Sequence, residues 1–370
     1  MDRQLAEVLR RLLPDAEHVA VEGFEPIPGG FSRETFRFDA HVTRGGATET
    51  MPMILRKDPP AAEAILYTSR QTEHELLGAL AAHTGLPVSA SYGCELDASV
   101  FGEPAMVIQR VHGNGHTSDL FHDGPDVDQV DAVIAHLCEL MAELHTADIA
   151  KLDVGGALSD PRSVGIDTSS WDAYMDSTID YYIRSYPDIA YDPIAMVILD
   201  GSLSLRRNKP RPLPLAIVHG DFNPANFLYA DGKVTAIIDW ENTRIGDPRE
   251  DLGWMVAMDN LSNTSVMLHP RDKGGFLAYY NELTGFDVTE EELGYFMIFG
   301  TMNIAVPITA AVKRRVNKDH SLFLHLYLVQ PSAPTLIAFA QLLGYPGVQP
   351  EPVPEPPSDP HQSAETGVNT

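Results

Sequence analysis

The chain has 370 residues, and its 26 basic against 52 acidic side chains give a formal charge of -26. That length predicts two domains or lobes, and 44% hydrophobic residues exclude wholesale disorder. The acidity argues against nucleic acid and anionic membrane as main partners, because both demand a basic footprint.

In chain order, the first 13 residues carry Leu5, Val8, Leu9, Leu12 and Leu13 as a helical stripe, ended by Pro14 and Asp15. The segment reads as an amphipathic helix rather than a signal peptide. Residues 20–43 then read as strand, Gly29-Gly30 turn, strand. Residues 51–58 form a third strand, stopped by Pro59-Pro60. Residues 61–83 predict a helix, and 85–111 return to short apolar runs. From about 126 the period is helical, with Val130, Val133, Ile134, Leu137, Leu140, Met141 and Leu144 on one face. Residues 169–206 are helical and aromatic. Two apolar strands, 215–218 and 234–238, and a third run at 227–229 interrupt the helices, with a turn at Asp231-Gly232. Helices resume over 250–345. The last 25 residues hold seven prolines, four acids and no Lys or Arg, and are expected to be disordered.

Two cysteines, Cys94 and Cys138, exclude a disulfide scaffold, offer no zinc spacing and read as packing residues. No apolar stretch approaches the roughly 18 residues of a membrane span. A soluble cytoplasmic protein is expected. Neither a P-loop nor an H-E-x-x-H occurs, and HGNG (112–115) lacks the setting of a dinucleotide fingerprint.

The chemistry concentrates in IVHGDFNPANF and AIIDWEN. Asp221 follows a buried strand, Asn226 lies five residues on, and Asp239 ends a second strand. Two oxygens suited to Mg²⁺ plus a separate carboxylate are the inventory for phosphoryl transfer.

That run resembles the catalytic loop and metal-binding strand of the aminoglycoside phosphotransferase family, a relative of the protein kinases. GDPREDLGW (246–254) continues the likeness. Upstream, PGGFSRETF is similar to the nucleotide-covering turn, MILRKDP to the strand with the basic phosphate contact, EHELLGAL to the helix bearing its Glu partner, and AMVIQRVHG to the inter-lobe hinge. The GGFSRETF and LRKDPP signatures look closest to the kinase-like domains associated with acyl-CoA dehydrogenases. The resemblance covers about residues 19–340.

It implies an α+β, two-lobed protein-kinase-like fold. The small antiparallel-sheet lobe would span 1–111, the larger mainly helical lobe 112–345, and a Pro-rich acidic tail 346–370. It implies ATP and Mg²⁺ as cofactors, with a small-molecule hydroxyl as acceptor. Asp221 would orient or deprotonate the acceptor hydroxyl. Asn226 and Asp239 would hold the metal. Gly29, Gly30, Phe31, Ser32, Arg56, Glu73, Gln109 and Val111 would bind the nucleotide.

Several readings stay open on sequence alone. Arg56 and Lys57 face opposite sides of a strand, so one of them enters the cleft. Glu75 competes with Glu73. His219 could be a base or a residue that shapes the loop, and Asp251 could tie that loop down. Trp171, Tyr174 and Tyr181 could line an acceptor pocket or fill a core. Lys313, Arg314, Arg315 and Lys318 could be a solvated face or meet an anionic tail. The acceptor could be a hydroxyacyl-CoA, an aminoglycoside or other antibiotic, or choline or an amino sugar. The rival of another class is a non-catalytic nucleotide-binding pseudokinase.

Overall fold

A computed structural model describes residues 1–27, 33–59, 69–116, 118–121, 126–185, 193–262 and 264–316. Gly29, Gly30, Phe31, Ser32, Lys318 and the tail lie outside the described residues, as do the side chains of Lys313, Arg314 and Arg315.

Helix α1 (Asp2–Leu12) buries Leu5, Val8 and Leu9 against the sheet that follows. That sheet has five strands: β1 (His18–Pro26), β2 (Glu34–Arg44), β3 (Ala47–Lys57), β4 (Ser91–Glu95) and β5 (Ala105–Gln109). Their order is β1-β2-β3-β5-β4, every neighbour antiparallel. Alternation sets the faces: Phe38, Ala40 and Val42 of β2 are buried. Strand β3 begins four residues earlier than the apolar run predicts. Its leading residues, Ala47 to Thr50, are mostly polar and pair along β2 from Arg44↔Ala47, so backbone hydrogen bonds extend the strand past its hydrophobic pattern. Helix α2 (Arg70–His83) starts at Ser69, whose hydroxyl caps the Thr72 N–H, and packs against β4.

The remainder is mainly helical. Short helix α3 (Ala98–Phe101) lies between β4 and β5 and adds Phe101 to the sheet's core, while α4 (Ser118–Phe121) and α6 (Ile149–Leu152) precede and follow the long α5 (Val127–Thr146). All seven apolar positions expected on one face of α5 are buried. At about 1.5–3 kcal/mol for each such side chain, burial rather than propensity holds this helix in place. Helices α7 (Trp171–Ser185) and α8 (Pro193–Arg207) follow.

Small strand pairings then carry the site. Strand β6 (Ala216–Val218) pairs with β9 (Arg244–Gly246), and β7 (Phe227–Ala230) forms a hairpin with β8 (Lys233–Ile237) across the Asp231-Gly232 turn. Strand β9 is too short and too polar to carry a periodic signal. The hairpin is tied to the segment after β5 by reciprocal bonds between Asn114 and Tyr229 (2.8 and 3.0 Å). Helices α9 (Arg249–Ser262), α10 (Phe276–Thr284) and α11 (Glu290–Val316) close the helical part. Gly253 lets α9 touch α11 backbone to backbone: a Cβ there would stand 2.3 Å from the Phe296 carbonyl carbon. Among the described residues, no helix is long and apolar enough to cross a membrane.

Candidate active site

The loop after β6 is held from below before it presents anything. Asp251, at the start of α9, accepts the His219 and Gly220 N–H groups (2.7 and 2.8 Å), and His145 Nε2 lies 3.1 Å from the same carboxylate. Burial alone would push the Asp251 carboxyl up. The hydrogen bond and charge of His145, together with the Gly220 N–H, outweigh it and hold it low. His219 has both ring nitrogens engaged: Nε2–H donates to the Ile238 carbonyl (2.9 Å), and Nδ1 accepts the Asp221 N–H (3.2 Å). Burial lowers its pKa. It is therefore a neutral brace between β8 and the loop, with no lone pair left to act as a base. Gly220 has φ +78°, and a Cβ on it would stand 2.3 Å from Arg244 Nη1 and 2.4 Å from the Asn242 carbonyl oxygen.

Asp221 projects from this brace, half-buried. Its Oδ1 accepts from Trp254 Nε1–H (2.7 Å) and Asn223 Nδ2–H (2.8 Å), and its Oδ2 from Asn226 Nδ2–H (2.9 Å). Burial first, and then the charge of Asp239, push its carboxyl up to about 7, while these three hydrogen bonds restrain the rise. The Asn226 amide nitrogen also donates to the Asp221 carbonyl (2.9 Å), so its amide oxygen turns away from Asp221.

Asp239 follows β8 with φ +67°, a backbone bend that a short polar side chain tolerates. Its Oδ1 accepts from Arg56 Nη2 (2.7 Å), and Arg56 Nη1 donates to Glu73 Oε1 (3.1 Å). Burial works against the Arg56 charge, but Asp239, Glu73 and Glu241 raise its pKa on balance, so it is a permanent cation. Its strand neighbour Lys57 pairs instead with Glu34, and Glu75 accepts from Gln71 (2.7 Å). Gln109, at the end of β5, has its N–H committed to the Ala90 carbonyl (2.8 Å), and Val111 is half-buried just beyond the sheet.

Three residues join this group that the motifs do not single out. Arg33, one residue before β2, reaches both Glu241 and Asp58, and Arg70 is buried beside Asp58, Glu73 and Glu241. Trp254 grips Asp221. Trp254 is findable in retrospect, because it lies three residues past Asp251 on one helix and so shares its face. The Arg33–Glu241 pair spans 208 residues and leaves no local signal.

Among the described residues, Arg33, Arg56 and Arg70 face Asp58, Glu73, Asp239 and Glu241, three cations against four carboxylates at the junction between sheet and hairpin. Among the described residues, no group of three or more His, Cys, Asp or Glu side chains is arranged to hold a metal ion. One carboxylate (Asp239) and one amide oxygen (Asn226) suit a Mg²⁺ ion that takes its remaining ligands from water and phosphate.

Of the aromatic candidates, Trp171 and Tyr174 are buried in a core cluster, Trp171 donating Nε1–H to Asp247 (2.6 Å) and Tyr174 its hydroxyl to Glu250 (2.5 Å), while Tyr174 and Tyr181 also border a small cleft. Cys94 is half-buried and Cys138 buried, and burial pushes both thiols up, Cys94 to about 12.

A family model described as "Phosphotransferase enzyme family" matches residues 23–289. Acyl-CoA dehydrogenase family member 11 of Mus musculus is 27% identical over 304 residues, covering 76% of this chain. The chain spans only 36% of that protein's length. A solved structure from Ralstonia eutropha, described as a candidate aminoglycoside phosphotransferase, superposes with a TM-score of 0.65 at 20% identity over 92% of this chain and 98% of that one. A thermostable mutant of aminoglycoside phosphotransferase APH(4)-Ia, in ternary complex with ADP and hygromycin B, gives 0.55 at 15% identity over 86% and 100%. At these identities the two structures establish a shared fold.

Proposed function

The chain belongs to the phosphotransferase enzyme family, and from that premise we propose that it moves the terminal phosphoryl group of ATP to a hydroxyl on a small-molecule acceptor. One observation carries the reading: Asp221, with its carboxyl pushed up to about 7, is held by three side-chain donors within electrostatic reach of Asp239. A carboxylate titrating near neutrality is matched to general-base work. Trp254, Asn223 and Asn226 orient it toward the acceptor hydroxyl, whose proton it receives as the oxygen attacks phosphorus. His219 and Asp251 hold the loop still, which limits the reorganisation the transfer must overcome. Arg56, fixed by Glu73, contacts the nucleotide phosphates. Asn226 and Asp239 would hold Mg²⁺, which when bound supplies charge neutralisation to those phosphates. The ADP in the APH(4)-Ia complex supports an adenine nucleotide as donor.

For the acceptor, the acyl-CoA dehydrogenase relative favours a hydroxylated acyl-CoA. The hygromycin B complex of the structural neighbour favours an aminoglycoside as the second reading. The test is ADP release from MgATP against hydroxyacyl-CoAs, aminoglycosides, macrolides, choline and simple sugars, with Asp221→Asn as the blank. The expected result is release that depends on one acceptor and is lost in the variant. Turnover that survives in Asp221→Asn overturns the assignment. The absence of both turnover on any acceptor and stabilisation by MgATP overturns the kinase reading.

A further inference from the structure

Between the loop at 159–166, α7 and α11 lies a small cleft, partly open to solvent. Arg162, Thr178, Tyr181, Arg244, Asn303 and Asp160 are among its lining. The cations gathered around the catalytic loop (Arg33, Arg56, Arg70, Arg244 and Arg249) each have a carboxylate partner within ion-pair distance. Arg162 differs. It donates to the Asn242 side-chain oxygen (3.0 Å) and to the Asn303 carbonyl (3.5 Å), both neutral, and among the described residues no carboxylate lies within 4 Å of it. The cleft's own carboxylate, Asp160, gives its two oxygens to the Val164 and Gly165 N–H groups (3.0 and 2.7 Å) and so folds the loop instead of neutralising the arginine. Glu250 is taken up by Arg244, Tyr174 and Asn303. Thr178 is also among the lining residues, buried at 3% exposure, and its Oγ1 has no hydrogen-bond partner among the described residues.

A half-buried guanidinium with no counter-charge and a buried hydroxyl with no partner are each costly alone. Together, in a cleft open on one side, they are the complement of an oxyanion: a fork of N–H donors and one O–H donor. Burial, and next the charge of Arg244, push the Arg162 pKa down to about 10, the direction an incoming anion would reverse. The cleft also abuts the catalytic loop. Arg244 presses on Gly220, the residue before Asp221, and Asn242, which holds Arg162, lies three residues past Asp239.

We propose that this cleft is an anion subsite of the acceptor, in which Arg162 and Thr178 receive a carboxylate or phosphate group of the molecule being phosphorylated. The assignment rests on the phosphotransferase reading for the word acceptor, but the binding it predicts does not depend on turnover. It favours an anionic acceptor over a polycation such as an aminoglycoside.

The test titrates the full chain with sodium acetate and with sodium sulfate at constant ionic strength, Mg²⁺ and AMP-PNP being present to fill the nucleotide cleft, and follows thermal stabilisation. One of the two ions is expected to stabilise the wild type saturably. Arg162→Gln should weaken that response at least tenfold, Thr178→Val less, and Asp221→Asn not at all. A response to acetate points to a carboxylate on the acceptor, and a response confined to sulfate points to a phosphate. No saturable response in the wild type, or an equal one in Arg162→Gln, overturns the proposal. Should Arg162→Gln fail to fold, Thr178→Val decides, an unchanged affinity being the negative result. Loss of the general-base assignment would show in the turnover of Asp221→Asn and leave this titration untouched.

Discussion

Beneath the catalytic loop, Arg249 spends its guanidinium on both oxygens of Asp247 (2.9 and 2.6 Å), on Glu292 (2.9 Å) and on the Arg211 carbonyl (2.9 Å), and lies 4.6 Å from the centre of the Phe296 ring. At the junction above it, Arg70 is equally buried and within 2.6 Å of Glu73 and 3.1 Å of Asp58, yet none of its N–H groups is aimed at an acceptor among the described residues. Both are buried ionic networks, but they differ in how completely their donors are satisfied. A network whose every donor is aimed holds one geometry. At the junction Arg56 has aimed bonds to Glu73 and Asp239, whereas Arg70 rests on charge proximity alone among the described residues, so that network is only partly aimed. The floor of the site is built as structure. The junction that bears Arg56 and Asp239 is, among the described residues, the less completely bonded of the two.

The sharpest way to separate chemistry from scaffold is Asp221→Asn. Turnover should fall about 10²–10⁴-fold, the range of general-base help. Stability should move the other way. The folded carboxyl titrates about 7 and its unfolded counterpart at an ordinary 3.8, so the folded chain binds the extra proton between those values. Its contribution is full below pH 4 and is lost as pH rises through 7. Asn carries no such loss, so the variant should melt higher than wild type at about pH 8 and alike at about pH 4. An equal melting difference at both pH values would mean that Asp221 is not desolvated as the structure has it.

Arg249→Met attacks the floor. It leaves Asp247 and Glu292 buried without their cation, and breaking a buried pair in this way costs about 3–5 kcal/mol. Chemical denaturation reads it directly. A loss under about 1 kcal/mol would erase the distinction between the two networks.

Arg56→Gln attacks the junction and should give the opposite profile. Arg33 and Arg70 remain beside Glu73 and Glu241, so stability should fall by no more than about 2 kcal/mol. Losing a charged hydrogen bond worth about 1.5–3 kcal/mol should raise KM for MgATP roughly 10- to 100-fold. A stability loss matching that of Arg249→Met, with KM unchanged, would make Arg56 scaffold.

The same contrast explains what sequence can reveal. The α5 stripe and the H-G-D-x-x-x-x-N loop are local: their meaning lies in spacing along one segment, and spacing is what a sequence displays. Asp251 and Trp254 are within reach too, since one helix carries both. Arg33 with Glu241, Arg70 with Asp58 and Arg162 with Asn242 are not of that kind. Each pair is made by folding distant segments together, and an isolated Arg reads as surface until its neighbours are known. Strand β9 escapes for a related reason, because its three residues are too few for a period and are placed by pairing with β6.

The smallest expected effect tests the restraint on Asp221 itself. The Trp254 hydrogen bond stabilises the charged carboxylate and so holds its pKa below where burial and Asp239 would take it. In wild type, kcat/KM should rise with pH through about 7 as Asp221 loses its proton. Trp254→Phe keeps most of the apolar contact and removes the donor. A hydrogen bond to a charged group is worth about 1.5–3 kcal/mol, and one pKa unit is about 1.4 kcal/mol. The midpoint should therefore climb by roughly one to two units, while the plateau at high pH changes little, because Asn223 and Asn226 still orient the carboxylate. A lowered plateau with an unmoved midpoint would assign Trp254 to acceptor binding and leave the pKa to burial alone. A midpoint moving down would contradict the sign of the hydrogen bond and, with it, the identification of Asp221 as the titrating base.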